Sequence, residues 1–378
     1  MALGKSFHQK VGQRIGERLS ELEKHALLVF DPANIRYLTG LAFTPTDHPL
    51  AACVWADGRA ALFVPHQEAE HLTGSWIDDI RWYNDYPAGE APVRWMAREA
   101  GGPLLVDRVD GQSWLDLAAE VETVEFNDVA ARLRQIKSAD EIALIERAAE
   151  FADLALERTF ARLTTGTAEI EVLAGILPPV DAIMRDELGE RYPYPGPAIQ
   201  GTLQSGTRAA WPNAPAGARR LTRGDAVVVE FIANVDGYQA RSGCTFFVGD
   251  PLRDMVSWVE ASIAAQDAAV EALSPGTAAS EVDVAARRTL ERLGLGTNVR
   301  HRTGQGTGLS SDEPPWLARS DQTRLEPGMV VVVRPGVYVS GRTGARNAKT
   351  LAIEEEGARL LNPRIERWSS MESRLKEF

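Results

Sequence analysis

The chain has 378 residues, 44% hydrophobic and 25% charged, with a formal net charge of −12. This is the composition of an ordinary globular protein, most simply of two domains, and its acidic balance argues against sequence-independent nucleic-acid binding, which needs a basic surface. Cys53 and Cys244 lie too far apart to suggest a disulfide framework, which points to a cytoplasmic location; no signal-peptide pattern opens the chain, and no apolar stretch approaches the ~20 residues of a membrane span.

Short strand-like runs come first: ALLVF (26–30), AACVW (51–55), AALFV (60–64) and PLLVD (103–107). Asp57-Gly58 between the second and third reads as a hairpin turn. Ser138 and Glu141 form a capping box ahead of an apolar period at Ile142, Ile145, Ala149 and Ala152, which predicts a long helix beginning there. Downstream, helical segments near 166–188 and 254–293 alternate with strand-like runs at 226–233, 241–248, 329–333 and 349–353. In GDAVVVEFIANVDGYQARSGCTFFVGD (224–250), Glu230 interrupts a near-continuous apolar run, so a lone carboxylate there needs a partner. Arg241 follows across the turn at Asp236-Gly237, and Arg334 closes the equally apolar Met329–Val333.

That run resembles the GD…D-x-G…DGY…D-x-x-RTF block of the pita-bread superfamily, which includes creatinase, prolidase and aminopeptidase P. HRTGQGTGLSSDEPP (301–315) resembles its GHGIG…HExP segment, LEPGMVVVVRPGVYV (325–339) its LxPGMVxTxEPGxY, and GARNAKTLAI (344–353) its GxRxEDTVxV. DPANIRYLTG (31–40) and the junction around Lys137 also resemble this family. The resemblance implies an α+β fold: a smaller creatinase/prolidase-like domain over 1–136, then a pita-bread domain over 137–378. It also implies a homodimer.

Carried over position by position, the family's five metal ligands (Asp, Asp, His, Glu, Glu) become Glu230, Arg241, Gln305, Arg334 and Ala348. The family set holds four carboxylates and an imidazole; this set holds one carboxylate and two guanidiniums. Arg has no lone pair to give and stays protonated, so the expectation is no metal, no cofactor and a pocket that attracts anions. Glu230 and Asp312, which replaces a family histidine, are the candidate catalytic groups, each with an ion pair to an arginine as the alternative reading. Arg241 and Arg334 are candidate clamps for a substrate carboxylate. Asn213, at the family's Pro-His position, Gln305, Lys349 and Trp211 complete the candidate substrate contacts. His48 matches the loop by which creatinase-type dimers reach the partner's site. His301 reads as scaffold, and Cys244 falls on the strand face opposite Arg241.

Creatinase and ectoine hydrolase show that this family breaks non-peptide C–N bonds. The resulting expectation is a metal-independent hydrolase or lyase, not a peptidase, acting on a small carboxylate-bearing, amino-acid-like molecule. The alternative is an inactive pseudoenzyme that binds a small anion or peptide, as a histone-chaperone subunit of this fold does.

Overall fold

A computed structural model describes residues 3–43, 46–70, 72, 74–84, 89–192 and 197–376. The chain divides into two compact units, Met1–Arg134 and Gln135–Phe378.

Unit 1 contains α1 (Lys5–Glu21), β1 (Ala26–Val29), α2 (Pro32–Thr39), β2 (Ala51–Trp55), β3 (Ala60–Pro65), β4 (Ile80–Tyr83), α3 (Pro92–Ala100), β5 (Leu104–Val106), α4 (Gly111–Glu120), β6 (Val124–Phe126) and α5 (Val129–Arg134). The strands form one mixed sheet in the order β4-β3-β2-β1-β5-β6. Its central strands are the apolar runs seen in the sequence, and every residue of β1 and β2 is buried. One face of the sheet packs on α3, whose Val93, Met96 and Ala97 join Leu28, Cys53 and Phe63 in a single cluster. Asp57-Gly58 turns β2 into β3, with Gly58 at φ +84 in the left-handed region. Asp31 caps α2 by accepting from the backbone N–H of Ala33 and Asn34.

Unit 2 opens with α6 (Ala139–Arg162), α7 (Glu169–Ala174) and α8 (Leu177–Leu188), followed by β7 (Ile199–Ser205), β8 (Ala226–Val235) and β9 (Tyr238–Val248). Then come α9 (Arg253–Glu271), α10 (Ala279–Arg292), β10 (Gly304–Gly306), β11 (Glu313–Leu317), β12 (Val330–Val333), β13 (Gly336–Val339), β14 (Thr343–Arg346), β15 (Lys349–Glu354), β16 (Gly357–Leu360) and β17 (Leu375–Lys376). One sheet runs β17-β9-β8-β7, a second runs β11-β10-β12-β15-β16, and β13 and β14 form a hairpin.

The long hairpin of β8 and β9 turns through Asp236 and Gly237, both at positive φ, as a two-residue loop requires. α6 packs on these strands. It starts with the expected capping box, the Ser138 hydroxyl on the Glu141 N–H and the Glu141 carboxylate on the Ser138 N–H. The predicted helical stretch at 254–293 is two helices, α9 and α10, that bury Ala265, Ala269, Val282 and Ala286 against Val331, Val333 and Leu351 of the second sheet. The β10 and β12 backbones approach so closely that a Cβ on Gly304 would lie 2.0 Å from the Val332 carbonyl oxygen. Glycine is therefore required where the second sheet meets the pocket described below.

Ser138→Ala removes a cap from the helix that supports β8 and β9. The expected cost is about 0.5–2 kcal/mol, read as a lower urea midpoint at unchanged m-value.

Candidate functional site

A cavity of about 720 Å³ opens among β7, β8, β9, the ends of β10, β12 and β14, and the segments before β10 and β11. At its base sits Glu230. Its register partner on β9 is Gly243, and Arg241 pairs with Ile232, so Arg241 meets Glu230 diagonally on the same sheet face. Arg241 Nη1 donates to Glu230 Oε1 at 2.7 Å, and Arg334 Nη1 donates to the same oxygen at 2.8 Å. Arg346 Nε stands 3.2 Å from Oε2. One carboxylate thus carries three guanidiniums.

Burial by itself would raise the Glu230 pKa. The charges of Arg346, Arg334 and Arg241 overcome that and hold the carboxyl well below the usual carboxylate range. Glu230 is therefore a fixed anion and a poor proton acceptor. Arg334 is pushed below its ordinary value by burial and by the two neighbouring arginines, against the pull of Glu230. It is the incompletely compensated cation of the group.

Asp312 is the second acid of the pocket, with its side chain 38% exposed. Its Oδ2 accepts from Arg241 Nη2 at 2.5 Å and from the Ser311 hydroxyl at 2.8 Å, and Arg302 Nη2 stands 3.5 Å from Oδ1. Arg302 stacks on Trp316, 4.2 Å from the ring centroid. Gln305 is buried on β10 and lines the cavity, and its Nε2 has no acceptor among the described residues. The Nε atoms of Arg241 and Arg302 likewise lack hydrogen-bond acceptors, whereas Arg346 Nε and Glu230 Oε2 face each other as an ion pair without hydrogen-bond geometry. The pocket thus has more donors than acceptors.

Asn213 lies exposed at the cavity wall. Lys349 faces Asp267 at 3.7 Å and does not line the cavity. Trp211 is 54% exposed, with the Arg208 guanidinium over its ring, and also lies outside the cavity lining. Ala348 is fully buried against Gly243, to which it forms an isolated bridge. His48 belongs to unit 1, where Asp47 stands 3.7 Å from its ring.

Sequence reasoning missed Arg346 and Arg302. The available signal was an arginine amid the small residues of GARNA, and another directly after His301. His301 also lines the cavity. Its Nε2 meets the Tyr338 hydroxyl at 2.7 Å and its Nδ1 the Arg302 carbonyl at 2.7 Å. Burial and the charges of Arg334 and Arg346 lower its pKa to about 4, so the ring is neutral. Nδ1 must then be the donor to the carbonyl, and Nε2 accepts from Tyr338. Arg346 Nη1 in turn stands 3.5 Å from the Tyr338 oxygen.

The metal site that the resemblance implies does not fit these residues. Among the described residues, no three His, Cys, Asp or Glu side chains cluster in a way that could hold an ion. The carboxylate at the first ligand position is already neutralised by fixed cations, and guanidiniums stand at two further positions.

Residues 143–355 match metallopeptidase family M24, and residues 13–138 match the creatinase/prolidase N-terminal domain. The chain is 35% identical to the Xaa-Pro dipeptidase of Pyrococcus furiosus, over 91% of this chain and 97% of that one. It is 34% identical to the Xaa-Pro dipeptidase of Pyrococcus horikoshii, over 94% and 97%. The crystal structure of dipeptidase PepE from Mycobacterium ulcerans superposes with a TM-score of 0.86 at 28% identity, covering 96% of this chain and 98% of that one. The prolidase structure from Pyrococcus horikoshii gives 0.82 at 28%, covering 93% and 98%. The α+β fold, a creatinase-like N-terminal domain followed by a pita-bread domain, is therefore the fold of this chain.

The expectation of a hydrolase or lyase that is not a peptidase is corrected by the same findings. Relatives that match nearly end to end include Xaa-Pro dipeptidases and a dipeptidase. The physical reason for the error is that lost donors bear on how a metal would be held. They do not determine which bond the pocket presents for cleavage.

Glu230→Gln leaves three guanidiniums around a neutral amide. Loss of roughly 3–5 kcal/mol of stability is expected in denaturant titration, and an unchanged midpoint would refute the anchoring role. His301 is neutral when folded, so its contribution is complete above its unfolded pKa of 6.5 and is lost as pH falls from there toward about 4. Stability should therefore drop over that window by up to roughly 3 kcal/mol. His301→Asn, which cannot protonate, should flatten that part of the pH–stability curve.

Proposed function

The chain belongs to metallopeptidase family M24, with a creatinase/prolidase N-terminal domain, and on that premise we propose that it is a hydrolase of peptide-like amide bonds that grips its small, amino-acid-like substrate by a carboxylate. The observation that carries the reading is the donor surplus: four guanidiniums line the pocket against two carboxylates already committed to them, and the Nε atoms of Arg241 and Arg302 and the Gln305 amide lack acceptors. Nearly full-length likeness to Xaa-Pro dipeptidases supports the bond class, since the substrates named there are dipeptides with a free carboxylate.

In this reading Arg334 and Gln305 hold the carboxylate. Arg334 supplies charge-assisted bonds and Gln305 an unsatisfied N–H. Asp312, the partly exposed acid, takes a proton from the attacking water and returns it to the nitrogen as the C–N bond breaks. The remaining guanidinium charge stabilises the oxyanion formed between those steps. Glu230 anchors the cluster, and Asn213 contacts substrate at the wall. The reading takes the protein as a cytoplasmic homodimer that works without bound metal. Buried, unpaired Cys53 and Cys244 support the compartment, and the donor set supports metal independence.

The test measures proline release from Xaa-Pro dipeptides and acyl-prolines, with and without a chelator, alongside elemental analysis. Release that persists in chelator, with less than one metal per chain, is expected. Arg334→Lys keeps the charge but loses the fork and should weaken binding. Arg334→Ala should weaken it about 10- to 100-fold, from ~1.5–3 kcal/mol per charged contact. Asp312→Asn should bind substrate but not turn it over. Failure of every such compound to bind would overturn the proposal, and chelator-sensitive turnover would overturn its metal-independent part.

A further inference from the structure

The cavity is as informative about the other end of its ligand. Four guanidiniums, those of Arg241, Arg302, Arg334 and Arg346, line it against two carboxylates, those of Glu230 and Asp312. Neither acid is free. Glu230 Oε1 accepts from two arginines and its Oε2 faces a third. Asp312 Oδ2 accepts from Arg241 and Ser311, and its Oδ1 faces Arg302. Among the described lining residues there is no other carboxylate. The polar remainder (Gln200, Thr202, Asn213 and Gln305) is neutral, and His301 Nε2 already meets the Tyr338 hydroxyl.

An ordinary dipeptide enters as a zwitterion. Its carboxylate suits this pocket and offsets one of the two surplus positive charges, but its α-ammonium would still face the other, and no lining carboxylate among the described residues is unengaged to receive it. At short range in a site less screened than bulk water, each like-charge contact opposes binding. An ammonium also has to shed water to enter, and only the neutral amide and hydroxyl oxygens of Gln200, Thr202, Asn213 and Gln305 are left among the described lining residues to replace it. A neutral acyl group has neither difficulty, and Pro212, Ile232 and Ala318 offer apolar lining for it.

We propose that the pocket selects N-acyl amino acids, whose nitrogen end carries no ammonium, over zwitterionic dipeptides. The inference rests on the carboxylate-gripping hydrolase reading and names its substrate class. The reaction is the same hydrolysis: water adds to the acyl carbonyl, the C–N bond breaks, and the products are a carboxylic acid and a free amino acid.

The test uses two isosteric prolines that differ only in charge, 3,3-dimethylbutanoyl-proline and (trimethylammonio)acetyl-proline, titrated calorimetrically into the full chain. Glycyl-proline and N-acetyl-glycyl-proline serve as a second pair. The neutral member of each pair should bind at least tenfold more tightly. In Arg302→Gln the surplus falls by one charge and Asp312 Oδ1 is released, so the gap should narrow. Arg302 is partly exposed and its contacts are peripheral, so the variant should fold. Equal or tighter binding of the cationic members would overturn the acyl preference and leave the carboxylate-gripping reading standing. No binding by any of the four would overturn both. A gap unchanged in Arg302→Gln would show that the selection does not come from the guanidinium surplus.

Discussion

Everything in the second unit's pocket depends on one carboxylate shared by three guanidiniums. Glu230 comes from β8, Arg241 from β9, Arg334 from the end of β12 and Arg346 from the end of β14. These elements belong to two sheets and a separate hairpin. The single anion therefore ties together backbone pieces that would otherwise hold three cations at close range in a largely dry site. Such a cluster contributes less to stability than its contact distances suggest, because each ion is taken out of water. Its removal is costly because the cations left behind have nowhere to go.

The arrangement has an electrostatic logic when set beside the fold's relatives. The resemblance places carboxylates around mobile cations; here the cations are covalently attached. A guanidinium is planar and directional, and it cannot polarise a water as a divalent ion does. It can still fix a carboxylate and stabilise an oxyanion. In the proposed reading the site keeps the parts that bind and orient, and proton transfer rests on a carboxylate of the lining. Glu230 is held too low for that.

The residues that sequence reasoning placed correctly are those set by strand alternation within one hairpin or one apolar run. Glu230 and Arg241 flank a two-residue turn, so their shared face follows from counting. Arg334 ends a run too apolar to leave it unpaired, and the partner it takes is Glu230. The misplacements concern side chains whose direction depends on how separate segments meet. Lys349 begins β15 opposite Val333 and turns toward Asp267, so its neighbour Arg334 says nothing about where it points. Trp211 flanks Pro212 and Asn213, yet its ring lies outside the cavity under Arg208. Arg346 was overlooked because it reaches Glu230 only after the β13–β14 hairpin folds across β9, a long-range event with no local signature.

The same electrostatics makes ligand and fold interdependent. Arg334 is depressed by burial and by its like-charged neighbours, so the folded chain carries an unrelieved cost at that position. A bound carboxylate would supply the missing counter-charge and relieve it, so that binding energy and pocket stability would be drawn from one interaction. An acid introduced by the chain itself at a neighbouring position would relieve the cost as well, and would also fill the site. By keeping the neutral Gln305 and the methyl of Ala348 at two of the five positions, the chain leaves that charge unrelieved within the protein. In the proposed reading that unrelieved charge is what draws an anionic ligand into the pocket.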